Sequence, residues 1–346
     1  MAAETAISIT QLQPEERDEW SSFVRSSPLG SPYSLPEYQE AFATAVGGSA
    51  VTVLARRGET IVGGISLVER KVPFGRYVAP GLLQYYNGFV LRDYETRYPS
   101  QRAARQNHAV AALAAGVLAR GYGRLEIRSR SPFVDARPLL ASGWAAAPSY
   151  SYVVPLDDLD GLWSRVDQNL RRLIERARGS GVEFVVGGDF DAFYDLHVAT
   201  AGRKTAPIYL PQEVFRAFYE TLESKDLCSL FHARGPDGAI LASQLVLLGH
   251  RVTHTVTAAA DASRQSTGSN PFLRWSVFEH LAGRGYAAND LTDASYGPVA
   301  RFKSQLGGDL VVSLVVRRPT SPVYLAQRAA LRAARTARSI AERPRR

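Results

Sequence analysis

Apolar and polar positions along the chain fall into two periods, and each switch between them marks an element. Trp20–Phe23 and Pro36–Val46 have helical spacing, and Pro28, Gly30 and Pro32 break the chain between them. Val51–Ala55 and Ile61–Val68 are apolar runs of strand length, joined by a hairpin turn at Arg57-Gly58-Glu59. Phe74–Gly88, rich in glycine and proline, reads as a loop or irregular strand. Gln101–Arg120 is a long helical pattern with Gly121 as its stop, and strands follow at Leu125–Arg128 and Ser151–Pro155.

The order then recurs. Leu159–Ser180 predicts a helix ended by Gly179 and Gly181, and Val182–Val186 a strand. Phe190–Arg203 and Pro211–Ser224 predict helices. Ser229–Ala233 and Ala239–Leu248 flank the turn Gly235-Pro236-Asp237-Gly238, and Arg251–Ala258 is a further strand. Asn270–Arg284 (helix), Ala287–Leu291 (strand), Ala300–Leu306 (short helix) and Leu310–Val316 (strand) complete the set. Leu118-Ala119-Arg120-Gly121-Tyr122 closes a helix before a strand, as does Leu281-Ala282-Gly283-Arg284-Gly285-Tyr286. Equivalent elements in equivalent order predict a duplicated α/β (α+β) unit with its boundary near Pro155–Leu156. The expected domains are 1–155, 156–318 and a tail over 319–346.

Composition narrows the functional classes. With 346 residues, 45% of them hydrophobic, the chain can bury two cores of ordinary size. Apolar stretches such as Ala109–Ala119 are too short to span a bilayer, and Met1–Gln13 lacks the regions of a signal peptide. A single cysteine, Cys228, excludes an internal disulfide and a cysteine-built metal site, and fits a small core residue. A cytoplasmic protein is expected. The net charge of +8 is localised: residues 317–346 hold nine arginines against Glu342 alone, so the remaining 316 residues balance to zero. In the helical stretch Tyr324–Ala341, Arg328, Arg332, Arg335 and Arg338 form one stripe opposite mostly alanines. Such a stripe fits an anionic membrane surface, tRNA phosphates or plain solvent.

The second half also resembles a known family. Trp163, Asn169-Leu170-Arg171-Arg172-Leu173-Ile174-Glu175-Arg176-Ala177 and Gly181-Val182 are similar to the helix opening the second domain of FemAB-like proteins of the GNAT superfamily. Phe193–Arg203, the Phe231 and Ile240-Leu241-Ala242 hairpin, and Ser269-Asn270-Pro271-Phe272-Leu273-Arg274-Trp275 follow in family order. Gly285-Tyr286, Asp290-Leu291 and Arg301-Phe302-Lys303-Ser304-Gln305-Leu306-Gly307 come next. The ordered set is specific over about 160–310; the first half matches more loosely, through strand Gly63–Leu67. The resemblance implies two tandem GNAT-like modules, each a mixed sheet flanked by helices, plus a basic C-terminal helix. It implies transfer of an acyl or aminoacyl group to an amine or hydroxyl of a cell-envelope precursor or natural product. It implies a co-substrate donor, aminoacyl-tRNA or acyl-CoA, no tightly bound cofactor, and a small-molecule or lipid-linked acceptor. The coiled-coil arm of some FemAB members is absent. A non-catalytic module holding tRNA or a glycan is the alternative outside enzymes.

Acyl transfer needs proximity, a proton route and a polarised carbonyl, but no covalent nucleophile. By resemblance Lys303, one of only four lysines, is the functional lysine that positions charged groups; the alternative is a helix-surface lysine. Arg203 matches the family arginine that grips acceptor phosphate, with Lys204 as a substitute ligand; the alternative is a cation favoured by the helix C-terminus. Asp290 and Asp293, past a predicted strand, are candidate acceptors of the amine proton, Asp261 is a third, and each is also a turn former. Tyr296, Tyr85 and Tyr86 are candidates to line the acceptor channel or to be core. Asn270 is expected to cap a helix starting at Pro271, whose free N–H groups could hold donor phosphates with help from Arg264 and Ser269. Arg264-Gln265-Ser266-Thr267-Gly268-Ser269 is a degenerate form of the usual coenzyme A loop, which tilts the expectation towards an aminoacyl donor. His250 and His254 share a strand face at a separation unsuited to chelation, and no metal site is expected.

Overall fold

A computed structural model describes residues 6–73, 75–203, 209–318, 321–327 and 329–330. Lys204 and the tail arginines from Arg328 onward lie outside the described residues.

The first half runs β1 (Ile7–Gln11), α1 (Arg17–Ser26), α2 (Pro36–Ala45), β2 (Ser49–Arg57), β3 (Thr60–Val72), β4 (Gly75–Val78), β5 (Phe89–Leu91), α3 (Pro99–Leu118), β6 (Arg124–Arg128), α4 (Arg137–Ala141) and β7 (Ala145–Pro155). The second runs α5 (Leu159–Arg165), α6 (Gln168–Gly179), β8 (Glu183–Val186), α7 (Phe190–Arg203), α8 (Gln212–Glu223), β9 (Cys228–Arg234), β10 (Ile240–Leu247), β11 (Val252–Ala260), α9 (Ser269–Gly283), β12 (Ala288–Asp290), α10 (Pro298–Ser304) and β13 (Asp309–Arg317).

Most periodic segments are elements as expected, with two corrections. Leu159–Ser180 is two helices. Asp158 accepts the Gly161 N–H at 2.9 Å to start α5, and Asp167 accepts the Asn169 N–H at 2.8 Å to start α6. Val166 between them is extended, at ψ 135°, so the apolar period crosses a break that two aspartate caps impose. Within Phe74–Gly88 only Gly75–Val78 forms a strand, and β1, β5 and α4 are additional elements. Those three are three to five residues long, too short to carry a readable period.

Among the described residues the strands form one continuous thirteen-stranded sheet, ordered β1-β2-β3-β4-β6-β13-β7-β12-β11-β10-β9-β8 with β5 beside β3. The seam is stitched by exchange. β7 runs antiparallel to both β13 and β12 of the second half, and β13 reaches β6 through Val315–Arg317. Helix α3 covers one face of the sheet in the first half, and α6 and α9 one face of it in the second. A third core lies between the halves, where Tyr33, Tyr38 and Phe42 meet Phe193, Phe215 and Phe218. Fully burying each such ring contributes roughly 1.5–3 kcal/mol, so the halves dock through a core and not through a hinge. After β13 the chain is helical at residues 322–327, where buried Tyr324 packs against Tyr77 of the first half.

Candidate functional site

The parallel strands β11 and β12 pair for only three residues, Val252–His254 against Ala288–Asp290. Beyond them the partners separate. β11 continues to Ala260 along β10, while Leu291 and Ala294 donate their N–H groups to Tyr152 and Tyr150 of β7, each at 2.8 Å. The paired region is bolted by buried polar side chains. Gln244 donates to Thr255, Thr255 donates to Asn289 and Asn289 donates to Thr253, at 2.7–2.9 Å. These cross-strand bonds favour one strand register, although the buried Oε1 of Gln244 has no partner among the described residues.

Asp290 closes the paired region and is fully buried. It accepts hydrogen bonds from Tyr86 at 2.9 Å, from Ser151, and from the Thr292 N–H at 2.8 Å. His254 Nδ1 stands 3.5 Å away, long for a hydrogen bond, and neither ring nitrogen has a nearer partner among the described residues. Burial acts to raise the pKa of Asp290, but His254, Ser151 and the Thr292 N–H outweigh it and lower it to about 2. Burial lowers the pKa of His254, although the neighbouring Asp290 acts to raise it.

Thr292 sits at φ 50°, in the left-handed region that a β-branched residue rarely adopts. Three bonds hold it there: its N–H to Asp290, its hydroxyl to the Thr255 carbonyl at 2.7 Å, and its own carbonyl accepting from Lys303 at 2.7 Å. Lys303, on α10, also donates to the Asp293 carbonyl at 2.6 Å. Facing this segment is a second left-handed residue, Leu83 at φ 69°, whose carbonyl accepts from Tyr38. The loop it shapes delivers Tyr85 and Tyr86. Burial, and then the charge of Asp293, raise the pKa of Tyr85; burial and Asp290 raise that of Tyr86 well above its ordinary value. Strained residues of this kind persist where the surrounding structure over-determines them, and such places are often sites.

Lys303, Asp290, Asp293, Tyr85 and Tyr86 therefore come together at the carboxyl end of β12, with walls from both halves. Arg203 lies farther along: exposed at the end of α7, it donates to Thr200 at 3.1 Å and to the carbonyl of Ala260, the last residue of β11, at 3.4 Å. Tyr296 projects wholly into solvent. Arg264 is held on the surface by Asp237 at 2.6 Å and Asp261 at 3.9 Å. Ser269 is buried, and its N–H points to the Thr267 hydroxyl at 3.3 Å.

Asn270 does not cap α9. The helix begins at Ser269, and Gly268 is its N-cap at φ 76°. A Cβ on Gly268 would stand 2.2 Å from the Leu173 carbonyl oxygen on α6, so close packing and left-handed backbone both require glycine there. Sequence pattern brings up His254 only as an unsuited metal ligand and does not single out Ser151 or Thr292. Ser151 lies on a strand with few local cues, and nothing in a threonine announces a left-handed backbone.

Residues 164–304 match the family described as Acetyltransferase (GNAT) domain. The structure of FemX superposes with TM-score 0.72 at 14% identity, covering 92% of this chain and 99% of that one. The chain has a tandem-GNAT fold of the FemAB-like kind. The C-terminal domain (DUF2156) of a putative lysylphosphatidylglycerol synthetase from Agrobacterium fabrum gives TM-score 0.58 at 14% identity, covering 92% and 97%. A tandem GNAT protein from the clavulanic acid biosynthesis pathway gives 0.52 at 13%, covering 91% and 99%. No curated protein matches by sequence. In this tandem-GNAT chain the divergence of β11 and β12 falls inside the matched domain, while Tyr85 and Tyr86 come from outside it. No described helix is long and apolar enough to cross a membrane.

Proposed function

We propose that the protein transfers an aminoacyl group from an ester donor, aminoacyl-tRNA, to an amine of a cell-envelope or natural-product acceptor, at the carboxyl end of β12. The observation that carries this reading is the strained Thr292–Asp293 segment, clamped by Lys303 and faced by Tyr85 from the other half. In the reaction the acceptor nitrogen attacks the ester carbonyl. A C–N bond forms, the C–O bond to the ribose breaks, and the amine proton leaves as the ribose oxygen gains one. Proximity and electrostatic preorganisation suffice for this exchange. Asp293 is the exposed carboxylate in position to take the amine proton. Its Oδ1 accepts from Ser295 at 2.6 Å and its second oxygen is left for a reactant. Asp290, enclosed by donors, acts as a positioning residue that holds Thr292. Lys303 sets the two carbonyls and brings positive charge to where an oxyanion develops.

Acyl-CoA as donor is the second reading. Against it stand the residues that would hold its pyrophosphate: Arg264 is engaged by Asp237, and the Ser269 N–H by Thr267. Thermal shift decides between them, because a ligand that binds only the folded state raises its apparent stability. Charged tRNA is expected to raise the melting temperature and acetyl-CoA to leave it unchanged; the reverse result would overturn the ester-donor reading.

A further inference from the structure

A cleft of about 810 Å³ opens at the amino ends of β11 and β12, opposite the transfer site. One wall is the Val24–Leu35 segment of the first half; the other is made by the turns that precede β9, β11 and β12. Five cationic side chains line it: Arg25, Arg130, Lys225, Arg251 and Arg284. Among the described residues only Asp93 and Asp226 oppose them, and Asp93 already faces Arg102 at 3.8 Å. Residues 1–316 carry no net charge, so this excess is a local concentration and not a share of a basic surface.

The cations also have bonding capacity to spare. Arg25, Lys225 and Arg251 are exposed and have no side-chain hydrogen bond or ion pair among the described residues. Arg130 is aimed by the carbonyls of Pro28, at 3.2 Å, and Gly30, both bound through Nη1, which leaves Nη2 and Nε for a ligand. Arg284 lies over the Tyr286 ring at 5.9 Å, at the same wall. Guanidinium groups match phosphate oxygens in pairs, and a concave basic wall focuses its field on an entering anion. The volume is that of a small-molecule site, not of a flat contact.

We propose that this cleft binds a phosphate- or diphosphate-bearing small molecule, bridging the two halves at a site separate from the transfer site. The proposal does not depend on the transfer reading, since it concerns the other end of the same strands. The two ends are nevertheless close: β12 is three residues long, roughly 10 Å, and Asp290 and Arg130 attract each other electrostatically.

The test is calorimetric titration of the full chain with inorganic pyrophosphate and with ADP at low salt. Saturable binding is expected, weakening as salt rises. The double variant Lys225→Ala/Arg251→Ala removes two exposed side chains and should keep its fold while losing at least about tenfold in affinity, about 1.4 kcal/mol. Lys303→Met, at the other end, should bind as the wild type does. Equal affinity for the two probes means that only phosphate is read; tighter ADP means that the cleft also contacts the nucleoside. Three results would overturn the site: no saturation up to about 10 mM, that is, binding weaker than about 2.7 kcal/mol; affinity indifferent to the double variant; or binding lost in Lys303→Met. A single-stranded RNA that binds where pyrophosphate does not would also overturn it.

Discussion

The two ends of the β11–β12 pair are built from the same strands and differ in what their polar groups have left to give. At the carboxyl end nearly every group is already engaged: Asp290 has three donors, Thr292 three partners, and Lys303 two carbonyls. At the amino end exposed cations line an open cleft with few partners. The first arrangement holds one strained geometry ready before a reactant arrives, which is what transition-state stabilisation needs. The second gains most of its interactions only when an anion enters, which is what a binding site needs. Counting cations would rank the cleft first; counting constrained backbone ranks the clamp first, and chemistry follows constraint.

The clamp can be broken at its centre. Lys303→Met keeps most of the side-chain length and removes the ammonium that holds two carbonyls. Transfer is expected to fall by about 10²–10³-fold, the usual loss when one preorganised donor is removed. Single-turnover rates measure it, and a rate within threefold of wild type, about 0.6 kcal/mol, would put the chemistry elsewhere. Asp290→Asn comes next, read in stability. The amide can keep its carbonyl oxygen towards Ser151 and the Thr292 N–H, where Oδ1 now stands, but then turns its NH2 towards the Tyr86 hydroxyl, and the lost charge-assisted bonds cost about 2–3 kcal/mol near neutral pH. The wild-type carboxyl titrates lower when folded, at about 2, than its ordinary 3.8. Its contribution is therefore complete above about pH 4 and is lost as pH falls through about 2, roughly 2 kcal/mol over that window. Urea unfolding across this range should show that leg in the wild type and lack it in the variant.

How much of this was legible follows from where the cause of each feature lies. Segments such as Gln101–Arg120 and Phe190–Arg203 carry their period within themselves, and they are helices close to those bounds. The break at Val166–Asp167 was missed because the apolar period runs through it, although both capping aspartates were in plain sight. The insertion of β7 between β13 and β12 has no local signal, since pairing with β13 joins positions more than 150 residues apart. Lys303, Asp290, Tyr85 and Tyr86 were reached by resemblance and residue type, and they do meet. Thr292, which they meet around, could not be found that way: its role lies in a backbone angle that only the assembled neighbours impose.

Gly268→Ala probes the approach to α9 without touching the clamp. The substitution puts a Cβ against the Leu173 carbonyl and forces a left-handed alanine, so α6 or α9 must shift. A destabilisation of about 1–3 kcal/mol is expected, with the rate of transfer per folded molecule falling less than in Lys303→Met. Denaturant midpoints together with active-site titration separate the two effects. A variant as stable as the wild type would mean that the helices approach less closely than this.

Arg264→Ala should do least. Among the described residues its guanidinium is engaged only by Asp237 and Asp261, at the surface, so no change in melting temperature is expected. Its value lies in the donor. If the ester reading holds, KM for aminoacyl-tRNA varies with Arg264 no more than a distant surface charge would make it, and salt screens the difference. Were coenzyme A the donor, Arg264 would have to leave Asp237 for the pyrophosphate, and its removal would raise KM for acyl-CoA while kcat stayed level, the mark of lost uniform binding. The pattern of KM against kcat in this one variant therefore bears on which end of the α9 loop, its surface arginine or its buried glycine turn, the reaction uses.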